Sequence, residues 1–579
     1  MKVSEQVLTT DVLVIGAGLA GCFAAIRAKE LGADVVMVEQ GKSGFSGMSA
    51  HGMQMLRVVL PEDDFDVAMA GTVLECEYMI DQEFLEVGMK ETWDRFQDLL
   101  KFGINFRRDD SGQILWYFTD TIYPPFKQRF AVWEPAGTYV QMQKMKKEAI
   151  RRGVKILDRI FVVDLIVSSG KVSGAIGFHT IEGNLYLVKA KAVVIATGSC
   201  IGPGHTYPQL TGDGMAIALR AGAELRNMEF GTGMTGWIAG GGPPFVFYFR
   251  NPQPEYPVTN ARGEEFLEKY EMTRRLPGRK YDGPPWRTQA HAVLREYKEG
   301  RGPCYVDYRV PNLNSILREF YGSMFDQTLK QIEGTGITLD KVKYELGVGI
   351  IIGQGWGIRI NASCETTLPG LCAAGVASDL CGSTEFSILC GHAGSIVTGH
   401  RAGESAAKYT LTQPKLESID EGQLSKLRRE IFAPLDRKYG ITPDKIRMNI
   451  VETWLNIDVR EETRLKKAQE QLQKIEKDVS NLSVDDYHEL VKCHKVRNLL
   501  EYSQAVAGAA MMRRETRLGH IRWDYPLRDN KDWLKWVINR RVGDELHTVV
   551  ENIPIEQWKY KPEPTLVDPL EPTRKEASS

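Results

Sequence analysis

Gly16, Gly18 and Gly21 stand at the spacing GxGxxG, and an acid, Glu39, follows about twenty residues later. Glycines so spaced can hold a pyrophosphate. The first permits a tight turn, the second lets the phosphates approach the backbone, and the third lets a helix pack close to a strand. A carboxylate at the distance of Glu39 can accept hydrogen bonds from both hydroxyls of a ribose. The chemistry is that of dinucleotide binding. The elements that must position these residues are legible around them. Val12 to Ile15 is an apolar run suited to a buried strand, an alanine-rich helical stretch follows the glycines, and a second apolar run, Val35 to Val38, ends in Glu39. This order predicts a βαβ unit whose helix N-terminus offers amide donors and a partial positive charge to the phosphates.

The fingerprint alone serves FAD and NAD equally; two further segments favour FAD. Lys191 to Gly198 reads KAVVIATG, a continuous apolar run of the kind expected for a strand buried on both faces. In flavoproteins with two dinucleotide folds a strand ending in ATG returns beside the nucleotide, which places Ala196, Thr197 and Gly198 there. Thr367 to Gly375, TLPGLCAAG, resembles the strand that brings the ribityl and isoalloxazine end of FAD into the domain.

Composition narrows the function classes. The chain has 579 residues, 43% hydrophobic and 26% charged, with a formal net charge of -2. That is ordinary for a globular protein of two to four domains and gives no global attraction to nucleic acid or anionic membrane. The nine cysteines are scattered without a CxxC pair or an iron–sulfur spacing, so no metal site is expected and most should be buried thiols in a reducing compartment. The opening MKVSEQVLTTD lacks the pattern of a signal peptide, and no apolar run approaches the length of a membrane span. A cytoplasmic location is expected, with membrane association only through partners.

Along the chain the FAD-type domain is interrupted. Residues 1–230 carry the fingerprint and the ATG strand. Residues 231–345 turn rich in glycine, proline and aromatics, as suits a cap over a pocket. Residues 346–410 return to strand and glycine patterns and rejoin the first domain. Residues 411–545 show apolar positions at three and four spacing, which predicts a helical domain, and 546–579, rich in proline and charge, predict an extended tail. Arg513, Arg514, Arg517, Arg522, Arg528, Lys531, Lys535, Arg540 and Arg541 make one locally basic segment. It reads either as a solvated face laced with the interspersed acids or as a dock for an acidic partner.

In this order the parts resemble the flavoprotein subunits of succinate dehydrogenase, fumarate reductase, L-aspartate oxidase and adenylylsulfate reductase. Four places carry the resemblance: the fingerprint with the loop Ser46 to Gly52, the segment Asn260 to Phe266, Pro285-Trp286-Arg287 followed by Glu299 to Gly302, and Arg514 to Arg517 continuing to Asp524-Tyr525-Pro526 and Trp533. The last of these, with the SGxxAxG loop, looks most like the adenylylsulfate reductase alpha subunit. The resemblance implies an α/β protein. Its two-dinucleotide-binding, glutathione-reductase-like FAD domain is interrupted by an α+β capping domain and followed by a helical domain and tail.

It also implies site residues. FAD contacts fall on Gly16, Ala17, Gly18, Ala20 and Gly21, on Glu39, Gln40 and Lys42, and on the loop Ser46, Gly47, Ser49, Ala50, His51 and Gly52. Later contacts fall on Val162, on Ala196, Thr197 and Gly198, on Asp213, and on Gly375, Ser395 and Ile396. Where succinate dehydrogenases bond FAD covalently to a histidine, this sequence has Ser46, so non-covalent FAD is expected. Arg287 sits at the family's catalytic arginine in the cap, with His291 and Arg295 as alternatives because the spacing to Gly300 is a residue or so off. His392 and His400 lie on the stretch expected near the flavin pyrimidine and are candidates for proton transfer. The dicarboxylate enzymes' HPTG and HGANRLGG segments are replaced by GTGMTG and CGSTEFSILCGHAG, and the acid after AAG is Val376. The scaffold is kept and the substrate pocket is rewritten.

The expected activity is that of an FAD-dependent oxidoreductase subunit. It would oxidise or reduce a small anionic substrate and exchange electrons with an iron–sulfur, ferredoxin-like partner. A free-standing FAD dehydrogenase or reductase using soluble acceptors, and a non-catalytic FAD-binding scaffold, are the alternatives.

Overall fold

In the computed structural model the described residues are 4–51, 55–120, 125–135, 139–200, 210–230, 233–237, 257–267, 286–307, 309, 341, 343–350, 356–380, 387–413, 415–419, 421–458 and 460–568. The expected βαβ unit is β1 (Glu5–Ile15), α1 (Leu19–Glu30) and β2 (Val35–Glu39). β1 is exposed at its start and buried from Val12 to Ile15, the stretch along which β2 pairs with it in parallel. All five residues of β2 are buried, as befits a strand covered on both faces. α1 is buried nearly all round because the helix His392–Thr412 lies against it. The contact is backbone-close: a side chain at Gly399 or Gly403 would overlap the carbonyls of Ala20 and Ala24.

The central sheet has seven strands. Lys155–Asp158, β2, β1 and Leu185–Ile195 run parallel, and Lys171–His179 and Ile160–Ser168 add an antiparallel hairpin at the far edge. Ser169 and Gly170, at the tip of that hairpin, both have positive φ, the conformation that a twisted two-residue turn demands. Leu185–Ile195 forks. Leu185 to Lys189 pair with the hairpin, and Val193 to Ile195 pair in parallel with Leu371–Ala373, which returns from the far side of the cap. The described part of the cap is α+β: an antiparallel sheet of Gly233–Trp237, Lys343–Ile350, Cys304–Asp307 and Val258–Thr259, with the helix Trp286–Lys298.

The C-terminal third departs from expectation in two places. Helices occupy Glu421–Asp436, Pro443–Asp458, Glu462–Val479 and Tyr487–Met512, but the helical pattern ends there. Lys535–Val542 and Glu545–Asn552 form a β-hairpin whose first strand pairs with Leu225–Arg226. The expected tail is therefore anchored from its first residues. Trp558 is buried against Trp536, Tyr560 exchanges backbone hydrogen bonds with the Gln82 side chain, and Leu566–Val567 pair with Arg528–Asp529. Ile553 and Trp558 supply the apolar contacts that proline and charge content conceal.

The basic segment is also not one face. Arg513, Arg517, Arg522 and Arg528 are buried, whereas Arg514, Lys531 and Arg540 are exposed. Arg513 donates from Nε to Glu229 and from Nη1 to Glu515, both at 2.7 Å, and Arg517 donates from Nε to Glu515 at 2.8 Å. Arg522 is paired with Asp524 at 2.7 Å. The buried arginines are spent on carboxylates within the chain, so a dock formed by the whole segment is excluded. Eight of the nine cysteines lie among the described residues, all buried and unbridged. Among the described residues no helix is long and apolar enough to cross a membrane, and no His/Cys/Asp/Glu cluster suits a metal ion.

Candidate nucleotide and redox site

The turn after β1 is built as the glycine spacing predicts. Gly16 has φ +105°, and its N–H donates to the Val38 carbonyl at 2.8 Å. A Cβ there would overlap the Ala196 carbonyl oxygen, and one at Gly21 would overlap the Gly16 carbonyl oxygen. α1 starts at Gly18 with no acid in its first turn; its first N–H, that of Leu19, is met by the Ser49 hydroxyl at 3.2 Å. Gly16, Gly18 and Ala20 line a cavity of about 270 Å³. The ends of β1, β2, Leu185–Ile195 and Leu371–Ala373 supply its walls, the place where ligands sit in parallel α/β sheets.

Glu39, 9% exposed, lines the cavity at the end of β2. One carboxylate oxygen accepts from the Ala17 N–H at 2.9 Å; the other accepts from the Gly41 N–H at 2.9 Å and the Ser46 hydroxyl at 3.1 Å. Three bonds leave about one of the roughly four lone-pair positions of a carboxylate for a ligand hydroxyl. Glu39→Gln keeps the shape but loses the charge and turns one acceptor into a donor facing an amide. A charge-assisted hydrogen bond is worth roughly 1.5–3 kcal/mol, so FAD affinity should fall by about tenfold or more. Unchanged flavin content after dialysis would remove the assignment.

Gln40, Ser46, Gly47, Ser49, Val162, Ala196, Thr197, Gly198, Asp213, Gly375 and Ser395 also line the cavity. The other expected contacts stand behind its wall. Ala17 serves Glu39, Gly21 packs on Gly16, Lys42 pairs with Asp158 at 2.7 Å, and Ala50 and Ile396 are fully buried. Gly52 and the side chains of His51 and Arg287 lie outside the described residues; Arg287 is the second residue of the helix Trp286–Lys298. Sequence reasoning missed Ser199, Phe161, Leu210 and Val376 on the wall. Ser199 was within reach, because it directly follows the ATG strand. The hydroxyls of Thr197 and Ser199 are buried on this wall without a partner among the described residues. Buried hydroxyls normally find partners. A turn that admits no side chain at Gly16 or Gly21, a helix start with no acid in its first turn and two orphaned hydroxyls together fit a phosphate- and hydroxyl-rich cofactor.

His392 opens the helix whose Ser395 lines the cavity. Its ring lies 5.1 Å from that of Trp133 and is hydrogen-bonded to the Met55 backbone. Its Nε2 and the Trp133 Nε1 are both shielded from solvent without a partner. Burial pushes the imidazole down to about 4, so at neutral pH it is uncharged and can relay a proton only as the neutral ring. His400 is two turns further along, roughly 12 Å at 1.5 Å per residue, and does not line the cavity. It too is lowered to about 4, by burial first and then by Arg95 and Arg27. Neither histidine lines the cavity; His392 stands one helical turn from Ser395, which does. Both bind protons more weakly folded than unfolded, so their contribution to stability is lost as the pH falls from the ordinary imidazole range toward 4.

The comparisons with known proteins agree with this architecture. Residues 11–392 match the FAD binding domain family and residues 451–566 the fumarate reductase flavoprotein C-terminal family. The chain belongs to the FAD binding domain family, as an FAD-dependent oxidoreductase of the fumarate reductase and succinate dehydrogenase flavoprotein type. A fumarate reductase (CoM/CoB) subunit of Methanothermobacter marburgensis is 27% identical, over 93% of this chain and 98% of its own. Two solved structures share the fold. A quinol fumarate reductase chain of E. coli superposes with TM-score 0.82 at 21% identity, covering 97% of this chain and 98% of that one. The adenylylsulfate reductase of Archaeoglobus fulgidus gives 0.75 at 19%, covering 96% and 98%.

Proposed function

We propose that this chain binds FAD without a covalent link and is the flavin-bearing subunit of a complex. In that complex it transfers electrons between a small anionic substrate and an iron–sulfur partner protein. The observation that carries the reading is the cavity itself, whose glycine turn, helix start, Glu39 and orphaned hydroxyls suit FAD. Bound there, FAD supplies the acceptor or donor for a two-electron transfer. The chain's own residues do the rest. Gly16 and Gly18 admit the pyrophosphate, Glu39 and Asp213 accept from hydroxyls, and Gly375 and Ser395 border the far end. His392 offers a neutral, sequestered proton site, and Arg287 in the cap offers a planar fork for a carboxylate or oxyanion. The reading of a complex is supported by the naming of the relatives as subunits.

Ser46 stands where a covalent histidine would, and its hydroxyl is occupied by Glu39 and the Lys42 carbonyl. Acid or heat should therefore release yellow flavin into the supernatant; flavin that stays with the precipitate would overturn the non-covalent reading. The function itself is tested anaerobically. Organic acids, CoA esters and sulfur oxyanions are added to FAD-loaded protein, and flavin bleaching is followed, with reoxidation by an added ferredoxin. Bleaching by an anion and reoxidation by ferredoxin are expected. Rapid reoxidation by oxygen or soluble quinone, with ferredoxin inert, would replace the complex-bound reading with a free-standing dehydrogenase. A flavin that no substrate class bleaches would favour a non-catalytic scaffold.

A further inference from the structure

The cavity is lined by the FAD domain, but one of its wall residues is held from outside that domain. Asp213 lines it and begins the helix Asp213–Arg220. Its carboxylate is held by two side chains from the helix Tyr487–Met512 of the C-terminal domain. Oδ1 accepts from the Asn498 amide at 2.7 Å and from the Thr211 hydroxyl at 2.9 Å, and Oδ2 accepts from the Lys495 ammonium at 3.1 Å. The pair Lys495–Asp213 is largely shielded, at 13% and 12% side-chain exposure. Lys495 also stands 5.6 Å from the ring centroid of Phe161, another cavity residue. The Asn498 amide has only one workable orientation. Its oxygen accepts from Arg220 Nη1 at 3.0 Å, so its NH₂ must face Asp213. Arg220 is in turn fixed by Asp164 at 2.8 Å, by Glu501 at 3.1 Å and by the Val163 carbonyl at 2.9 Å. A chain of charge-assisted bonds thus runs from a C-terminal helix to one carboxylate on the cavity wall.

We propose that Lys495 and Asn498 are positioning residues for the cofactor: they fix the Asp213 carboxylate so that its remaining lone pair faces a hydroxyl of bound FAD, making the C-terminal helix a working part of the nucleotide site. The inference rests on the reading of the cavity as the FAD site. Three of about four acceptor positions on Asp213 are filled from behind, which leaves the last one aimed rather than free to rotate. Holding a carboxylate this way removes the entropy cost of ordering it when the ligand arrives. FAD retention and docking of the C-terminal helix then become mutually dependent, since a ligand that favours the aligned carboxylate must favour the helix that aligns it.

The test uses the full chain, stripped of flavin, with FAD affinity read by quenching of flavin fluorescence and folding read by the melting temperature of the flavin-free protein. Asp213→Asn, Asn498→Ala, Lys495→Met, Lys495→Arg and the double variant Asp213→Asn/Asn498→Ala are compared. Asn498→Ala and Lys495→Met should each weaken FAD about tenfold, Lys495→Arg should recover most of the affinity, and the double variant should bind no more weakly than Asp213→Asn alone. A purely structural role predicts that flavin-free melting and affinity fall together and that the two single effects add; that outcome overturns the proposal. If Asp213→Asn weakens FAD while Asn498→Ala and Lys495→Met leave it unchanged, the cavity reading stands and the positioning role falls. If Asp213→Asn changes nothing, Asp213 does not face the cofactor and the proposal falls with it. Should Asn498→Ala fail to fold, the Lys495→Met and Lys495→Arg pair decides alone.

Discussion

Glu515→Leu is expected to destabilise the protein by about 3–5 kcal/mol, the usual cost of removing one partner from a buried ion network. Glu515 is fully buried, as are Arg513, Arg517 and Glu229 around it. Its Oε1 accepts from Arg513 at 2.7 Å and Arg517 at 2.8 Å, and its Oε2 accepts from Arg517 at 3.0 Å and the Asp529 N–H at 2.8 Å. Taking it away leaves Arg513 with Glu229, whose own carboxyl is pushed up by burial, and leaves Arg517 with the Glu77 and Asp529 carbonyls and the Asn530 side chain. Arg517 also ties the FAD domain in through the Glu77 carbonyl at 2.8 Å. Thermal melting followed by circular dichroism, with FAD at a fixed excess, reads the effect. The quadruple change Glu229→Leu, Arg513→Met, Glu515→Leu and Arg517→Met should recover part of the loss, because the charges of the network then leave together. Wild-type melting of Glu515→Leu would show that the network carries no stability.

Arg287→Ala should lower turnover by about a hundredfold or more, the typical cost of losing a preorganised charge stabiliser, with FAD content unchanged. The position lies in the first turn of a cap helix, and the planar fork of arginine suits a carboxylate or oxyanion. Lysine should restore only part of the rate, since a point charge lacks the fork. The neighbours proposed as alternatives are already engaged: His291 Nε2 lies 2.9 Å from the Leu518 carbonyl, and Arg295 pairs with Asp568 at 3.0 Å. Alanine at those two should therefore act first on stability. Steady-state rates for the three alanine variants, once a substrate is in hand, decide among them. A normal rate for Arg287→Ala ends its catalytic role.

The sequence disclosed the cofactor cavity well and the C-terminal third poorly, for physical reasons. Gly16, Gly21 and Glu39 act within about forty residues, and their spacing states their geometry. The same holds for the ATG strand, whose unbroken apolar run reports burial on both faces. Arg513 and Arg517 read as surface charges because their partners include Glu229 and Glu77, several hundred residues upstream, and burial by distant acids leaves no local periodicity. Asn498, Lys495 and Asp213 are bound into one network across a similar distance, and no local pattern betrays it. The hairpin Lys535–Asn552 does carry a local signal: the two-residue turn Gly543-Asp544, with Gly543 at φ +62°. The anchored tail was hidden by composition, which records how much proline and charge a segment has and not where Ile553 and Trp558 are buried.

The forked strand Leu185–Ile195 bears on how the protein is made. When Ile195 leaves the ribosome, the edge at Val193 to Ile195 has no neighbour; its partner Leu371–Ala373 lies roughly 175 residues further on. At about 5–20 residues per second, that edge waits roughly 9–35 seconds while the cap is synthesised. An apolar, unpaired strand edge is a template for self-association. The nascent flavoprotein thus passes through an aggregation-prone interval set by the insertion of the cap, and any fragment ending before residue 371 would remain in it permanently.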